Sequence, residues 1–357
     1  MNTEFFYKIL SMDSTSGKEG ELADMLSVEF AAPGRKVELF EVGDGTRNLL
    51  VSWGSPKLIF CTHLDTVPPY IPPTSEDDVF YGRGTCDAKG QLFAMWEACK
   101  ELEAKGSTDF GLLLLAGEET GSFGAKAFRE QHPGAEWLVV GEPTDNCMAS
   151  AAKGTKSFEV TFEGKAFHSG YPENGVSAIE LFNDFMNALR SIRFPKDELL
   201  GDTTFNVGKL ISDNPQNILS EKLTCRVYFR TTFESDEMVC NVMKNMAGPE
   251  ARLRFGRPRV QDGSDIVAKD VAQWQRAMTV KAFGGDAPTR FEVLSGFETK
   301  PVSFGSDAPQ LSNFKYKILC GPGSILVAHR PEEHITLADL KTAVSNYVEI
   351  YNRLTNN

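Results

Sequence analysis

The chain has no cysteine pair in C-x-x-C spacing, no surplus of positive charge and no long apolar run. Each absence removes a class of function. Its seven cysteines, at 61, 86, 99, 147, 225, 240 and 320, are odd in number and scattered. That pattern suits neither a cysteine zinc ribbon nor a disulfide framework and leads us to expect a reducing, cytoplasmic setting. Lys and Arg number 37 against 49 Asp and Glu, a net charge of −12. An acidic chain without a Lys/Arg stripe is a poor ligand for nucleic acid or anionic membrane. No apolar run reaches the length of a membrane span. The opening "MNTEFFYKIL" lacks the basic start and apolar run of a secretory leader. Familiar catalytic signatures are missing too. There is no H-E-x-x-H: His329 and His334 are five residues apart with Pro331 between them. There is no G-x-S-x-G elbow and no P-loop, and "GRGTCDAKG" is not a dinucleotide fingerprint.

What is present is an alternation of apolar strands and helices. "KVELFEV", "NLLVSWG", "KLIFCTHLD", "GLLLLAGEE" and "WLVVGEP" read as strands. "GKEGELADMLSVEFAA", "GAKAFREQH" and an amphipathic "GQLFAMWEACKELEAKG" read as helices. The order predicts an α/β domain with a mostly parallel sheet covered on both faces. From Lys153 the texture changes. "TKSFEVTFEG", "GVSAIELFNDFMNALRSI", "TTFNVGKLIS", "KLTCRVYFRTT", "SDEMVCNVMKNMA" and "ARLRFG" give β-α-β-β-α-β, an inserted α+β domain. After it, a helix at "DVAQWQRAMTVKAFGG", a strand at "KYKILCG" and a helix at "LADLKTAVSNYVEIYNRL" return to the first texture. The expected boundaries are a discontinuous domain over 1–152 and 258–357, with the insertion over 153–257.

Acids and histidines gather just past the apolar strands. His63 and Asp65 follow "LIFCT", Glu118 and Glu119 follow "LLLLAG", Glu142 follows "WLVVG", and His329 ends "GSILVAH". Asp87 lies in a Gly-rich loop before a helix. Open α/β sheets bind ligands beyond the carboxyl ends of their strands, so parallel neighbours would bring these groups to one rim. Singly, each is better read as a turn, a cap or a solvated charge. Together, crowded carboxylates and imidazoles need compensating positive charge, and a metal ion supplies it. His with Asp/Glu and no organised Cys suits Zn²⁺ or a similar ion such as Co²⁺, and the donors exceed the needs of one tetrahedral ion. Two ions sharing a carboxylate would use them all. Asp65, two residues along an extended strand from His63, is placed to accept its second N–H. Of the adjacent Glu118 and Glu119, one can ligate while the other works on water. Cys61 and Cys86 read as packing residues.

With these residues in hand, the chain resembles the M20 family of metallo-aminoacylases and peptidases. It is most similar to the acetylornithine deacetylase and succinyl-diaminopimelate desuccinylase branch. "HLDTVP", "GRGTCDAKG", "AGEE", "GEPT" and "AHRPEEH" stand in the family's order and spacing. The resemblance implies Asp87 bridging two zinc ions, His63 and Glu142 completing one site, and Glu119 and His329 the other. It implies Glu118 as general acid/base, Asp65 as the residue orienting His63, and a cis peptide at Asp87–Ala88. The insertion resembles a lid and dimerisation domain, so a homodimer is expected. There His168, in "AFHSGYPENGVSAIE", would reach the partner's site and stabilise an oxyanion. Asn217, Arg230, Gly305 and Ser306 fall at substrate-binding positions. Two positions depart from the pattern: Tyr228 stands where many relatives have Asp, and His334 where many have Tyr.

The expected activity is a di-zinc amidohydrolase acting on a small N-acyl amino acid, N-acetyl-L-ornithine to L-ornithine in arginine biosynthesis. N-succinyl-L-ornithine, N-succinyl-diaminopimelate and dipeptides are the alternative substrates. A non-catalytic metal- or peptide-binding module is the rival class, against which an intact Glu118 argues.

Overall fold

A computed structural model describes residues 1–247 and 272–355. The chain divides into two compact units, one of residues 1–151, 290–302 and 306–357, the other of residues 152–289 and 303–305.

The first unit is built on a six-stranded sheet in the order Arg35–Gly43, Thr46–Trp53, Phe110–Leu115, Leu58–His63, Trp137–Val140 and Tyr316–Leu319. The last four run parallel, and the first two add an antiparallel edge. Strands Leu58–His63 and Phe110–Leu115 are buried at every residue. This is why they read as unbroken apolar runs: a central parallel strand has no solvent face. Helix Lys89–Ala104 was expected to be amphipathic, but residues 89–96 are buried on every face. It packs against the long C-terminal helix Leu337–Thr355 as well as the sheet. Phe93 stacks on Phe6, and Trp96 on Phe30. Phe6 belongs to helix Thr3–Leu10, which the sequence pattern did not suggest. Its N-cap Asn2 accepts from the Phe5 N–H at 3.2 Å, and Phe5, Phe6, Ile9 and Leu10 are buried.

The second unit carries an antiparallel four-stranded sheet in the order Thr204–Ile211, Lys222–Thr231, Gly154–Glu163 and Met278–Gly284. Helices Ala178–Ser191 and Asp236–Met246 bury their apolar faces in its core. The expected strand "ARLRFG" lies outside the described residues. The segment "DVAQWQRAMTVKAFGG" was expected to form one helix of the first domain. Instead, among its described residues only Gln273–Arg276 is helical, and Met278–Gly284 is an edge strand of this sheet. Met278 and Val280 pack inward while Thr279 faces out, a period of two that the helix-favouring residues before it obscured. The second boundary therefore falls near residue 289 rather than 257.

All seven cysteines are free thiols. Among the described residues no helix is long and apolar enough to cross a membrane.

Candidate metal centre

The carboxyl ends of the parallel strands bring the expected residues to one rim. His63 is the last residue of its strand and is 2% exposed. The Leu64 N–H donates to the Leu115 carbonyl at 2.7 Å, which keeps the two strand ends together where the Glu pair begins. Beyond Leu115 the chain turns at Gly117, whose φ of 67° suits glycine. Glu118 and Glu119 occupy that turn. Glu142 follows Trp137–Val140 and is buried. Asp87, also buried, ends the loop that precedes helix Lys89–Ala104, and the Asp87–Ala88 peptide is cis.

Asp87 stands between the two histidines. Its Oδ1 is 2.9 Å from His63 Nε2, and its Oδ2 is 3.1 Å from His329 Nε2. His329 Nε2 also lies 2.9 Å from Glu119 Oε1. Donor atoms of His63, Asp87 and Glu119 fall within 4.8 Å of one another. His329 adopts a φ of 64°, which a non-glycine residue rarely takes, and so turns its ring to these acids.

The role of Asp65 differs in detail from the expectation. His63 Nδ1 meets the main-chain carbonyl of Asp65 at 2.8 Å, whereas the carboxylate oxygen is 3.5 Å away. Either contact holds the proton on Nδ1 and leaves Nε2 turned to Asp87. The carboxylate itself accepts from the N–H groups of Glu118 and Glu119 at 3.0 and 3.2 Å, and from Ser16 Oγ at 2.7 Å. One buried side chain thus fixes the turn that carries the Glu pair.

The charges explain what the cluster needs. Burial pushes the carboxyl groups of Glu118 and Glu142 well up, helped by Asp87 and Asp307 and opposed by His63. Burial disfavours a charged His63, but the neighbouring carboxylates of Asp65 and Asp87, which accept from its ring, outweigh it and raise its pKa well above normal. Hydrogen bonds that His329 donates to the Asp87 and Glu119 carboxylates raise it to about 10. Burial alone would raise Asp87, yet the two histidines hold it far below the carboxylate range. Without a cation, the cluster therefore balances itself with protons. The donor set of two imidazoles and several carboxylates fits a first-row divalent ion. A further expectation follows. Metal uptake at neutral pH must expel the imidazole protons, about two per chain filled. Calorimetry in buffers of different ionisation heat should show that release, with affinity rising as pH rises toward 10. Uptake without proton release would refute the assignment of the histidines.

The remaining expected residues make other contacts, and most of them belong to the other unit. Ser306, in the first unit, is buried and accepts from the Ala308 N–H. In the second unit, His168 is exposed, and its Nδ1 accepts from the Gly170 N–H at 3.0 Å. The carbonyl of Asn217 accepts from the Ser169 N–H, which ties it to the same segment. Arg230 lies over the Tyr228 ring at 5.0 Å, and Gly305 leaves room beside its guanidinium. His132 stacks on Phe128, and His334 packs against Tyr81. Burial pushes the thiols of Cys61 and Cys86 up, in keeping with packing roles. Ser16, Asp307 and Glu333 also bear on the centre and were not expected to. Nothing in their spacing along the chain marks these roles.

The profile of peptidase family M20/M25/M40 matches residues 59–353. The chain belongs to this family. A peptidase M20 domain-containing protein of Schizosaccharomyces pombe is 31% identical over 95% of this chain and 81% of its own length. A probable carboxypeptidase of Aspergillus niger is 30% identical over 84% of this chain and 74% of its own. Among solved structures, a Staphylococcus aureus tripeptidase superposes with a TM-score of 0.78 at 20% identity, covering 99% of this chain and 98% of that one. A Bacillus subtilis M20 peptidase described as dinuclear and metal-binding gives 0.67 at 12% identity, covering 99% and 97%. The M20 α/β fold and membership among the family's hydrolases stand on these matches. The relatives are named as peptidases and carboxypeptidases, not as members of the acetylornithine branch.

Proposed function

We propose that this M20 protein is a two-metal amidohydrolase that cleaves the acyl group from an N-acyl amino acid, with N-acetyl-L-ornithine as the leading substrate. The observation that carries the reading is Asp87 facing His63 with one oxygen and His329 with the other, beside the Glu118–Glu119 turn. His63, Asp87 and Glu142 would hold one ion, and Asp87, Glu119 and His329 the second. Bound there, zinc or cobalt supplies the positive charge that acidifies water and polarises the acyl carbonyl. Glu118 takes the proton from the attacking water and delivers it to the departing amine. Asp65 holds Glu118 in place through the main chain. His168 donates a hydrogen bond to the developing oxyanion, in a homodimer from the neighbouring subunit. Arg230, for which no carboxylate partner is seen among the described residues, would grip the substrate carboxylate, and Asn217, Gly305 and Ser306 are the further candidates for binding substrate.

The names of the fungal relatives favour a second reading, a carboxypeptidase acting on peptides. Both substrate classes carry a free carboxylate next to the scissile amide nitrogen. A turnover panel separates them: acetyl, succinyl and formyl derivatives of ornithine, lysine and diaminopimelate against dipeptides. Acetylornithine should be the fastest. Faster hydrolysis of a dipeptide or a succinyl derivative would move the assignment to that class.

The His168 role has its own expected result. His168→Ala should raise the barrier by about 2.7–4 kcal/mol, the worth of one oxyanion donor. Mixed with inactive Glu118→Ala subunits it should recover activity, since one hybrid site is intact. No recovery after proven subunit exchange would exclude action between subunits.

A further inference from the structure

The loop that presents Asp87 is unusually well anchored, and the anchor is not a metal-binding candidate. Glu333 is fully buried. Its Oε1 accepts three main-chain N–H groups, from Gly84 at 2.9 Å and from Cys86 and Asp87 at 3.1 Å. Its Oε2 pairs with Arg83, itself 2% exposed. The main chain repeats the link: the Gly82 N–H donates to the Glu333 carbonyl at 3.0 Å, and His334–Thr336 pairs with Val79–Tyr81. Arg83 closes the ring with a hydrogen bond to the Arg330 carbonyl. Glu333 lies four residues after His329. One carboxylate therefore ties the loop of Asp87 to the loop of His329, the two residues whose side chains meet at 3.1 Å.

Three converging N–H groups are a poor environment to leave without an acceptor, because each buried donor loses its hydration. Removing the Glu333 carboxylate would leave these donors without the acceptor they share. The Asp87 backbone is thus fixed at its own N–H, one bond from the Cα that carries the proposed bridging carboxylate.

We propose that Glu333 is a positioning residue for the metal centre: by clamping the Asp87 loop to the His329 loop, it sets the separation of the two ligands and so the affinity for the ions. The inference rests on the metal reading above but not on the choice of substrate.

The test is a Co²⁺ titration of the metal-free full-length protein, followed by visible absorbance, on wild type, Glu333→Ala and Glu333→Gln. Circular dichroism establishes that each variant is folded. Glu333→Ala should bind Co²⁺ about 10–100-fold more weakly, the usual effect of removing a residue that orients a ligand. Glu333→Gln keeps one acceptor oxygen but sets its amide against Arg83, so it should show a smaller loss in the same direction. If the Ala variant does not fold, the Gln variant decides. Glu103→Gln, which breaks a partly buried ion pair with Arg35 elsewhere in the unit, is the control. It should lower thermal stability without weakening Co²⁺ binding. A folded Glu333 variant that binds Co²⁺ as tightly as wild type overturns the proposal. So does a control that loses affinity equally, since the effect would then be general loosening. A wild type that takes up no Co²⁺ would sink the metal reading and this inference together, whereas tight wild-type binding matched by the variants sinks this inference alone.

Discussion

Glu118→Gln should lower kcat by about 10²–10⁴-fold, the usual worth of general acid–base catalysis, while leaving metal content nearly intact. The substitution keeps the size and hydrogen-bonding capacity of the side chain but removes its ability to take a proton. It spares the turn, because Asp65 holds residues 118 and 119 through their main-chain N–H groups. Glu119→Gln should behave differently. Glu119 Oε1 meets His329 Nε2, and its donor atom clusters with those of His63 and Asp87. Losing its charge should weaken metal binding, so excess zinc should restore part of the activity. Metal stoichiometry measured beside turnover separates the neighbours. If Glu118→Gln loses metal and is rescued by zinc while Glu119→Gln is not, the roles are exchanged. If both keep metal and activity, the cluster is a charged strand end and the catalytic reading fails.

The adjacent glutamates also show how far the sequence could be read. Apolar strands ending in acids or histidines were visible because a buried parallel strand has no polar alternation to hide them. That regularity was enough to bring His63, Glu118, Glu119 and Glu142 to one rim, and Asp87 and His329 meet there too. What the sequence could not show was orientation. Asp65 stands where a side-chain contact to His63 was expected, yet its carbonyl makes the shorter contact and its carboxylate turns to the Glu pair. Glu333 was equally hidden. A carboxylate that accepts N–H groups from a loop 246 residues away leaves no periodic trace. The edge strand Met278–Gly284 was missed for a local reason. The Gln- and Ala-rich residues before it favour a helix, and only pairing with Gly154–Glu163 makes the short alternating segment a strand.

Asp87→Ala should empty both halves of the centre at once. Each carboxylate oxygen faces a different imidazole, so the substitution removes the one group common to His63 and His329. If the wild type takes up two divalent ions, as proposed, the variant should lose both, with turnover falling to background. The metal-free fold gives a second readout, with a definite sign. His329 is raised from 6.5 to about 10 by Asp87 and Glu119, so the folded state binds its proton more tightly than the unfolded chain does. This stabilisation is complete below pH 6.5 and is lost as the pH climbs toward 10. Thermal unfolding of chelated wild type should therefore show Tm falling across that window, and zinc should oppose the fall by replacing the proton with a cation. In Asp87→Ala the slope should flatten, because one of the two carboxylates that raise His329 is gone. Elemental analysis showing a full two-metal complement in Asp87→Ala would end the bridging assignment. An unchanged slope would show that His329 draws its proton affinity from Glu119 alone, and the two histidines would then belong to separate clusters rather than to one centre.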